Sequence, residues 1–262
     1  MKKKSKHSKN EKSNKLKKLF LAILVIILIC CIGYICFYIR DYFKMKNSNN
    51  EIFNNINVDE SLVQDEKTER MVQIEELQKE NNEVIGWLEI ADTNINYPVL
   101  QSADNEYYLT HNYKKETVTG GSLFLDKNFD MTNGSSNYLI YGHRNKQGLM
   151  FEDLLKYTDK DFYNAHKTVR FTTIKDDSNY EILSIFYSRV YYKSETNVFR
   201  YYNFVNANNE QEYSDFVDNC KKASIYDTGI NATYGDQLLT LSTCEYSQED
   251  GRFVVVAKKV QE

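Results

Sequence analysis

One uninterrupted apolar segment near the start of the chain limits how the rest can be organised. Residues 19–39 contain no charged side chain and consist almost entirely of Leu, Ile, Val, Phe, Cys and Tyr. At about 1.5 Å per residue, a helix of this length spans about 30 Å, enough to cross the hydrocarbon core of a bilayer. The segment therefore predicts a single transmembrane helix.

The charges on either side of the apolar segment predict its orientation. Residues 1–18 hold nine lysines and one acid, Glu11. By the positive-inside rule, this end stays in the cytoplasm and the remainder is exported. A cleaved signal peptide is the alternative, but the apolar run is long and no clear small-x-small cleavage site follows it. The expected location is the cell membrane, single-pass, with an extracellular domain.

The exported part is acidic, which narrows its partners. Residues 47–262 hold 21 Lys and Arg against 35 Asp and Glu, whereas residues 1–46 hold twelve against two. An acidic domain is a poor match for a phosphate backbone, so nucleic acid is not expected as a partner. The basic tail instead favours the anionic lipids of the inner leaflet.

The chain after the apolar segment predicts a linker, charged helices and then a mostly β domain. Polar, Asn-rich residues 40–60 suggest a tether, and the charged amphipathic pattern of residues 60–83 favours a helix or helix pair. Many short strands with few helices favour a barrel that is closed or nearly so, which removes exposed strand edges. The predicted segments are a basic tail (1–18), a membrane anchor (19–39), a linker with N-terminal helices (40–83) and a catalytic domain (84–262).

Finer patterns assign elements within residues 84–262. The predicted strands are 84–90, 95–100, 120–126, 138–143, 168–173, 180–187, a short one near 190–192, 236–243 and 252–260. Residues 150–157 have a helical apolar face, and residues 194–229 are predicted to insert a helix before the last two strands.

Two cysteines face the exported side, and they allow two interpretations. Cys30, Cys31 and Cys36 lie within the apolar segment, which leaves Cys220 and Cys244 outside it. A disulfide between these two is common chemistry for an exported domain. The other interpretation is one buried structural thiol and one nucleophile, and spacing alone does not choose between them.

The residues around Cys244 favour the nucleophile. Cys244 ends one predicted strand, Arg252 begins the next, and His143 ends a strand far upstream. A cysteine attacks as its thiolate, which a nearby positive charge favours. The imidazole can give a proton to a leaving amine, and the guanidinium can stabilise the oxyanion of an attacked carbonyl. The three side chains together fit acyl transfer through a thioester.

Other chemistries find less support in the sequence. His111 and His166 lie in polar contexts without clustered metal ligands, and no phosphate-binding or dinucleotide fingerprint is present. Neither a metal nor another cofactor is expected. Glu245, Glu249 and Asp250 follow the cysteine, but none is clearly placed as a third catalytic member.

These motifs together resemble the sortases, membrane-anchored cysteine transpeptidases of Gram-positive surfaces. The similarity runs from Val84 to Lys259, and the predicted helical insert with the N-terminal helices and anchor resembles class B. The residues that carry it are Thr240–Cys244, Arg252 before a Val-rich strand, Tyr141–His143, Gly86–Leu88, Asn96–Leu100, Phe124–Asp126 and Met150–Phe151.

The resemblance implies a fold, an activity and a set of site residues. The fold would be a closed eight-stranded sortase-type β-barrel. The enzyme would cut a sorting motif of the Asn-Pro-x-Thr-x type in secreted proteins, hold the acyl group on Cys244, and pass it to a peptidoglycan amine. Cys244 would be the nucleophile, His143 the general acid and base, and Arg252 the partner of the carbonyl or oxyanion. The implied substrate contacts are Asn96, Leu100, Phe199, Ser242, Thr243 and Glu245.

Two further functions remain open at this point. The same site could act mainly as a peptidase with water as acceptor. A non-catalytic surface binding module held by a Cys220–Cys244 disulfide is the second possibility.

Overall fold

The computed structural model describes residues 3–55, 68–145 and 148–261 of the 262-residue chain. It divides into two compact units, Met1–Asn47 and Ser48–Glu262.

A long helix, α1 (Lys3–Asn55), contains the apolar segment. Within the described residues, Lys15–Asn47 is the stretch long and apolar enough to cross a membrane, which fits either an anchor or a signal sequence. The tether predicted at residues 40–60 is wrong as far as Asn55, because the helix continues through it; residues 56–60 lie outside the described part. The chain has no proline or glycine between Gly33 and Gly86, so nothing in the sequence breaks the helix early.

The charged segment before the barrel forms α2 (Glu69–Glu80), as predicted. Thr68 caps its N-terminus by accepting a hydrogen bond from the backbone N–H of Met71. Its apolar side packs into a core cluster that includes Ile74, Leu77 and, from the first strand, Trp87.

Eight strands close into a barrel, and two more form a short hairpin. The barrel strands are β1 (Val84–Glu89), β2 (Asn96–Leu100), β3 (Leu123–Leu125), β4 (Asn137–Tyr141), β7 (Thr168–Thr173), β8 (Asp177–Arg189), β9 (Leu238–Cys244) and β10 (Gly251–Lys259). The hairpin strands are β5 (Arg144–Asn145) and β6 (Leu149–Met150).

The barrel order is β1-β2-β3-β4-β9-β10-β8-β7, and β7 pairs with β1 to close it. The pairs β2–β3 and β4–β9 are parallel and the other pairs are antiparallel. The expectation of a mostly β, eight-stranded closed barrel is therefore confirmed. Closure leaves the barrel without a free strand edge.

Helical segments fill the connections between barrel strands. Residues Glu152–Thr158 form a 3-10 helix followed by α3 (Lys160–Ala165), where the sequence predicted one helical face. The predicted insert contains α4 (Glu210–Ala223), which buries Tyr213, Phe216, Val217 and Cys220. The short strand predicted near residues 190–192 is wrong, because the ladder of β8 with β10 ends at Arg189 opposite Gly251.

Candidate active site

Strand register brings the ends of β4 and β9 to the same level. These strands are parallel, with Tyr141 opposite Ser242, and Gly142 N donates to Ser242 O at 3.1 Å just beyond that pair. Neighbouring strands lie about 4.8 Å apart. His143 and Cys244 each follow this pair by two residues, and both line the same cleft.

Arg252 reaches the same point from the other side of β9. In the antiparallel β9–β10 ladder it lies directly opposite Cys244. Its Nη1 donates to the backbone carbonyls of Asp250 at 3.1 Å and Gly251 at 2.9 Å. These bonds hold the guanidinium at the start of β10, next to the cysteine strand.

All three side chains line one cleft of about 250 Å³. Its walls combine apolar and polar groups, as small-molecule and peptide sites commonly do. The lining residues are Asn105, Leu109, Phe124, Tyr141, Gly142, His143, Val190, Tyr201, Tyr202, Ser242, Thr243, Cys244 and Arg252.

The imidazole of His143 is oriented by a backbone carbonyl rather than by a carboxylate. His143 Nε2 lies 2.8 Å from Leu109 O. Because a carbonyl oxygen only accepts, Nε2 bears a proton in this arrangement, and Nδ1 is the other ring nitrogen that can take up or release one. The sequence did not provide an acidic third catalytic member. The carbonyl of Leu109 instead orients the imidazole.

The two thiols outside the apolar segment differ in environment, and they are not joined. Cys220 and Cys244 are both free cysteines, so the disulfide interpretation is wrong. Cys220 is fully buried on α4, and burial raises the pKa of its thiol well above the ordinary value. Cys244 is partly exposed and lines the cleft. Only Cys244 is accessible to a substrate in that cleft.

Two of the implied substrate contacts form the floor of the cleft. Ser242 is buried, and its Oγ shares a hydrogen bond of 2.6 Å with the hydroxyl of Tyr201. Thr243 is also buried, and its Oγ1 has no hydrogen-bond partner within the part of the chain that the structure describes. Burial also raises the pKa of Tyr201 well above its ordinary range, which keeps this phenol neutral beside the cleft.

Three other implied contacts lie away from the cleft lining. Asn96 accepts a hydrogen bond of 2.6 Å from Trp87 Nε1, and Leu100 is completely buried in the core cluster beneath α2. Phe199 packs between Phe186 and Phe216 in an aromatic group. These contacts hold the three residues in the fold. None of the three lines the cleft with Cys244.

Glu245, the last implied contact, is held beside the cysteine but outside the cleft lining. It is 8% exposed, and its carboxylate accepts hydrogen bonds of 3.0 Å from Ser247 N. Burial opposes ionisation, but the hydrogen bonds from Ser247 and Tyr246 N–H and the charge of Arg144 outweigh it and lower the pKa of Glu245. Glu245 is therefore an anion next to the active thiol.

The cleft also contains residues that the sequence did not predict as site residues. Asn105 Nδ2 and the Tyr141 hydroxyl both donate to Asp126 Oδ2, at 2.8 and 3.1 Å. Tyr141 precedes His143 by two residues, so strand alternation could have suggested it for the same side. Asn105 and Leu109 come from the connection between β2 and β3, where Tyr107–Leu109 form a 3-10 helix, and no local sequence pattern marks them.

Gly142 lies where the neighbouring side chains leave no room for a Cβ atom. We therefore expect Gly142→Ala to displace His143, the next residue. A Cβ at this position would lie 2.3 Å from Leu123 Cδ2 and 2.7 Å from Phe151 Cδ2, both on completely buried side chains. Overpacking of this kind costs about 1–3 kcal/mol. Thermal unfolding should shift down by several degrees, and kcat measured well below that temperature should fall at least tenfold.

Gly134→Ala is the matched control for this prediction. Gly134 has φ +80° in a turn, and a Cβ there meets nothing within 4 Å. Its substitution adds backbone strain of about 1–2 kcal/mol without touching His143. The control should lose stability and keep its kcat; equal kcat losses in the two variants would contradict the role given to Gly142.

Comparisons with known proteins agree with this geometry. A family model described as "Sortase domain" matches residues 88–260. The chain is 39% identical over 190 residues to Sortase B of Listeria monocytogenes serovar 1/2a, covering 72% of this chain and 74% of that protein. It is 34% identical over 193 residues to Sortase B of Staphylococcus aureus, covering 72% and 75% of the two chains.

Solved structures give the same result. The crystal structure of sortase B from B. anthracis in complex with AAEK1 matches with a TM-score of 0.72 at 33% identity, over 86% of this chain and 100% of that chain. A Staphylococcus aureus sortase B-substrate complex matches with a TM-score of 0.64 at 32% identity, over 72% of this chain and 85% of that chain.

Proposed function

The chain belongs to the sortase family and to its class B, and from this premise we propose how its cleft performs the cysteine transpeptidation of that class. The observation that supports the proposal most is the convergence of His143, Cys244 and Arg252 on one cleft. The alternative of a non-catalytic module is not favoured, since its disulfide does not form.

In the first half-reaction, the thiol of Cys244 gives its proton to His143, and the resulting thiolate attacks a peptide carbonyl to form a tetrahedral intermediate. The guanidinium of Arg252 stabilises the oxyanion that develops there. Collapse of the intermediate breaks the C–N bond, and His143 gives its proton to the leaving amine. The acyl group then remains on Cys244 as a thioester.

In the second half-reaction, an amine attacks the thioester carbonyl. His143 takes the proton of the attacking nitrogen, Arg252 again stabilises the oxyanion, and the C–S bond breaks. The sulfur leaves as the new amide forms, and the proton on His143 passes to it, which regenerates the thiol of Cys244. We propose a peptidoglycan amine as acceptor, because an exported, membrane-tethered enzyme would meet the cell wall first.

The donor is a sorting-signal peptide of a secreted protein, which we propose to be of the Asn-Pro-x-Thr-x type. Support comes from the similarity to a solved sortase B-substrate complex. Ser242 and Thr243 at the cleft floor are the implied contacts best located to bind it. Asn96, Leu100, Phe199 and Glu245 stay predictions as substrate contacts.

The apolar helix would hold this domain at the cell membrane. We propose that residues 1–18 are cytoplasmic, that residues 19–39 cross the bilayer once, and that residues 84–262 act on the extracellular face. The lysine-rich start of the chain supports this orientation by the positive-inside rule.

A two-substrate assay tests the proposed function. The full-length chain in detergent is mixed with a fluorogenic Asn-Pro-x-Thr peptide, with and without a peptidoglycan-type amine such as a short oligoglycine. We expect cleavage, and an amide product whose share rises with amine concentration because amine and water compete for one thioester. Cleavage with no amide product at any amine concentration would instead support the peptidase.

A further inference from the structure

A charge cluster connects the strand end that bears His143 to the turn that follows Cys244. Arg144 directly follows His143 and begins the hairpin strand β5. Its Nε lies 3.4 Å from Glu152 Oε2, and its Nη1 lies 3.9 Å from Oε1 of Glu245, the residue that directly follows Cys244. One side chain therefore links the neighbours of both reacting groups.

The charged side chains of this cluster are partly buried, which strengthens the electrostatic interaction between them. The side chains of Arg144 and Glu245 are 21% and 9% exposed. Partly buried charges are screened much less than surface ones. Both contacts are longer than a good hydrogen bond, and Arg144 Nε is buried with no hydrogen-bond partner among the described residues. The link is therefore a charge interaction. The ring of Tyr246 lies 5.5 Å from the guanidinium of Arg144 and adds a cation–π contact.

Each end of the link is fixed to the backbone near a reacting group. On the cysteine side, Glu245 N donates to Gly251 O at 2.9 Å, which closes the β9–β10 connection. On the histidine side, Phe151 N donates to His143 O at 2.9 Å, and Arg144 pairs with Met150 across the hairpin. A change in the link would therefore move the imidazole relative to the sulfur.

We propose that Arg144, acting through Glu245, is a positioning residue that sets the separation of His143 and Cys244. The inference rests on the proposed function. It gives Glu245 a role different from the substrate contact that the family resemblance implies. Loss of a substrate contact raises KM, whereas misplacement of the acid–base pair lowers kcat and leaves KM unchanged. A displacement of about 1 Å can cost about a hundredfold in rate.

Three variants of the full-length chain in detergent test the link: Arg144→Gln, Glu245→Gln and the double variant. We expect kcat to fall about tenfold in each single variant, with KM within about twofold of the wild type. The double variant should be no slower than the slower single variant, because both substitutions break the same link.

The matched control is Arg170→Gln. Arg170 pairs with Asp177 at 2.6 Å between β7 and β8, away from the cleft lining. Loss of that ion pair should lower stability and leave kcat unchanged. An unchanged kcat in Arg144→Gln, a loss confined to KM, or rate losses that multiply in the double variant would overturn the inference.

Alkylation of Cys244 separates failure of the link from failure of the proposed function. If the wild type does not cleave the peptide, the proposed function fails, but the rate of Cys244 modification by iodoacetamide still reports its surroundings. Mass spectrometry of the Cys244-containing fragment follows that rate. We expect the rate in each single variant to differ several-fold from that of the wild type and the Arg170→Gln control, because each substitution changes the charge beside the thiolate. Equal rates in all four proteins would overturn the inference.

Discussion

Cys244→Ala is expected to abolish peptide cleavage and amide formation, with a rate loss of at least about 10⁴-fold. The sulfur forms the bond that divides the reaction into two steps, and no other thiol lines the cleft among the described residues. The measurement is initial velocity with the fluorogenic peptide. The unfolding temperature should stay close to that of the wild type, because Cys244 is partly exposed.

Cys220→Ala is the matched control for the nucleophile. Cys220 is completely buried on α4, and its Sγ contributes to packing rather than to chemistry. Removing it should lower the unfolding temperature by a few degrees and leave kcat unchanged. Activity retained in Cys244→Ala, or lost in Cys220→Ala at a temperature where that variant is folded, would contradict the assignment.

Arg252→Ala is expected to lower kcat about 10²–10³-fold, the loss typical for one oxyanion donor. Arg252 lies opposite Cys244 in the ladder, and its guanidinium is held by the carbonyls of Asp250 and Gly251. Lysine has a single ammonium in place of the planar fork, so Arg252→Lys should recover only part of the rate. Steady-state kinetics on the three proteins measure both effects.

Lys258→Ala is the matched control, because it removes another positive charge from the same strand. Lys258 lies toward the far end of β10, opposite Leu238 and Glu181 rather than beside Cys244. It should keep the wild-type kcat. If Arg252→Ala raised KM and left kcat intact, Arg252 would bind the ground state and would not stabilise the oxyanion.

The barrel could be predicted because its strands follow local rules. Alternating or continuous apolar runs separated by turn residues marked most strands to within a few residues, and the helical pattern of α4 was equally local. The errors arose where local pattern misleads. Asn-rich residues 40–55 continue a helix because no breaker interrupts it, and residues 190–192 lack a partner strand beyond Arg189.

The candidate catalytic side chains could be proposed from sequence because each stands at a strand end in a recognisable motif. Their convergence is a property of register, since β4 and β9 are far apart in the chain and become neighbours only in the closed barrel. For the same reason, the sequence alone could not show that His143 donates a hydrogen bond to Leu109 O or that Arg144 lies beside Glu245. Tertiary packing also decided that Leu100 lies in the core.

Trapping the acyl-enzyme tests the central claim most directly. The full-length chain is mixed with an Asn-Pro-x-Thr peptide for a short time, quenched in acid, digested and analysed by mass spectrometry. The account predicts a mass increase on the Cys244 fragment equal to the acyl part of the peptide up to its threonine, and no increase on the Cys220 fragment. Acylation at another residue, no acylation while cleavage proceeds, or a Cys220–Cys244 disulfide in the active protein would contradict it.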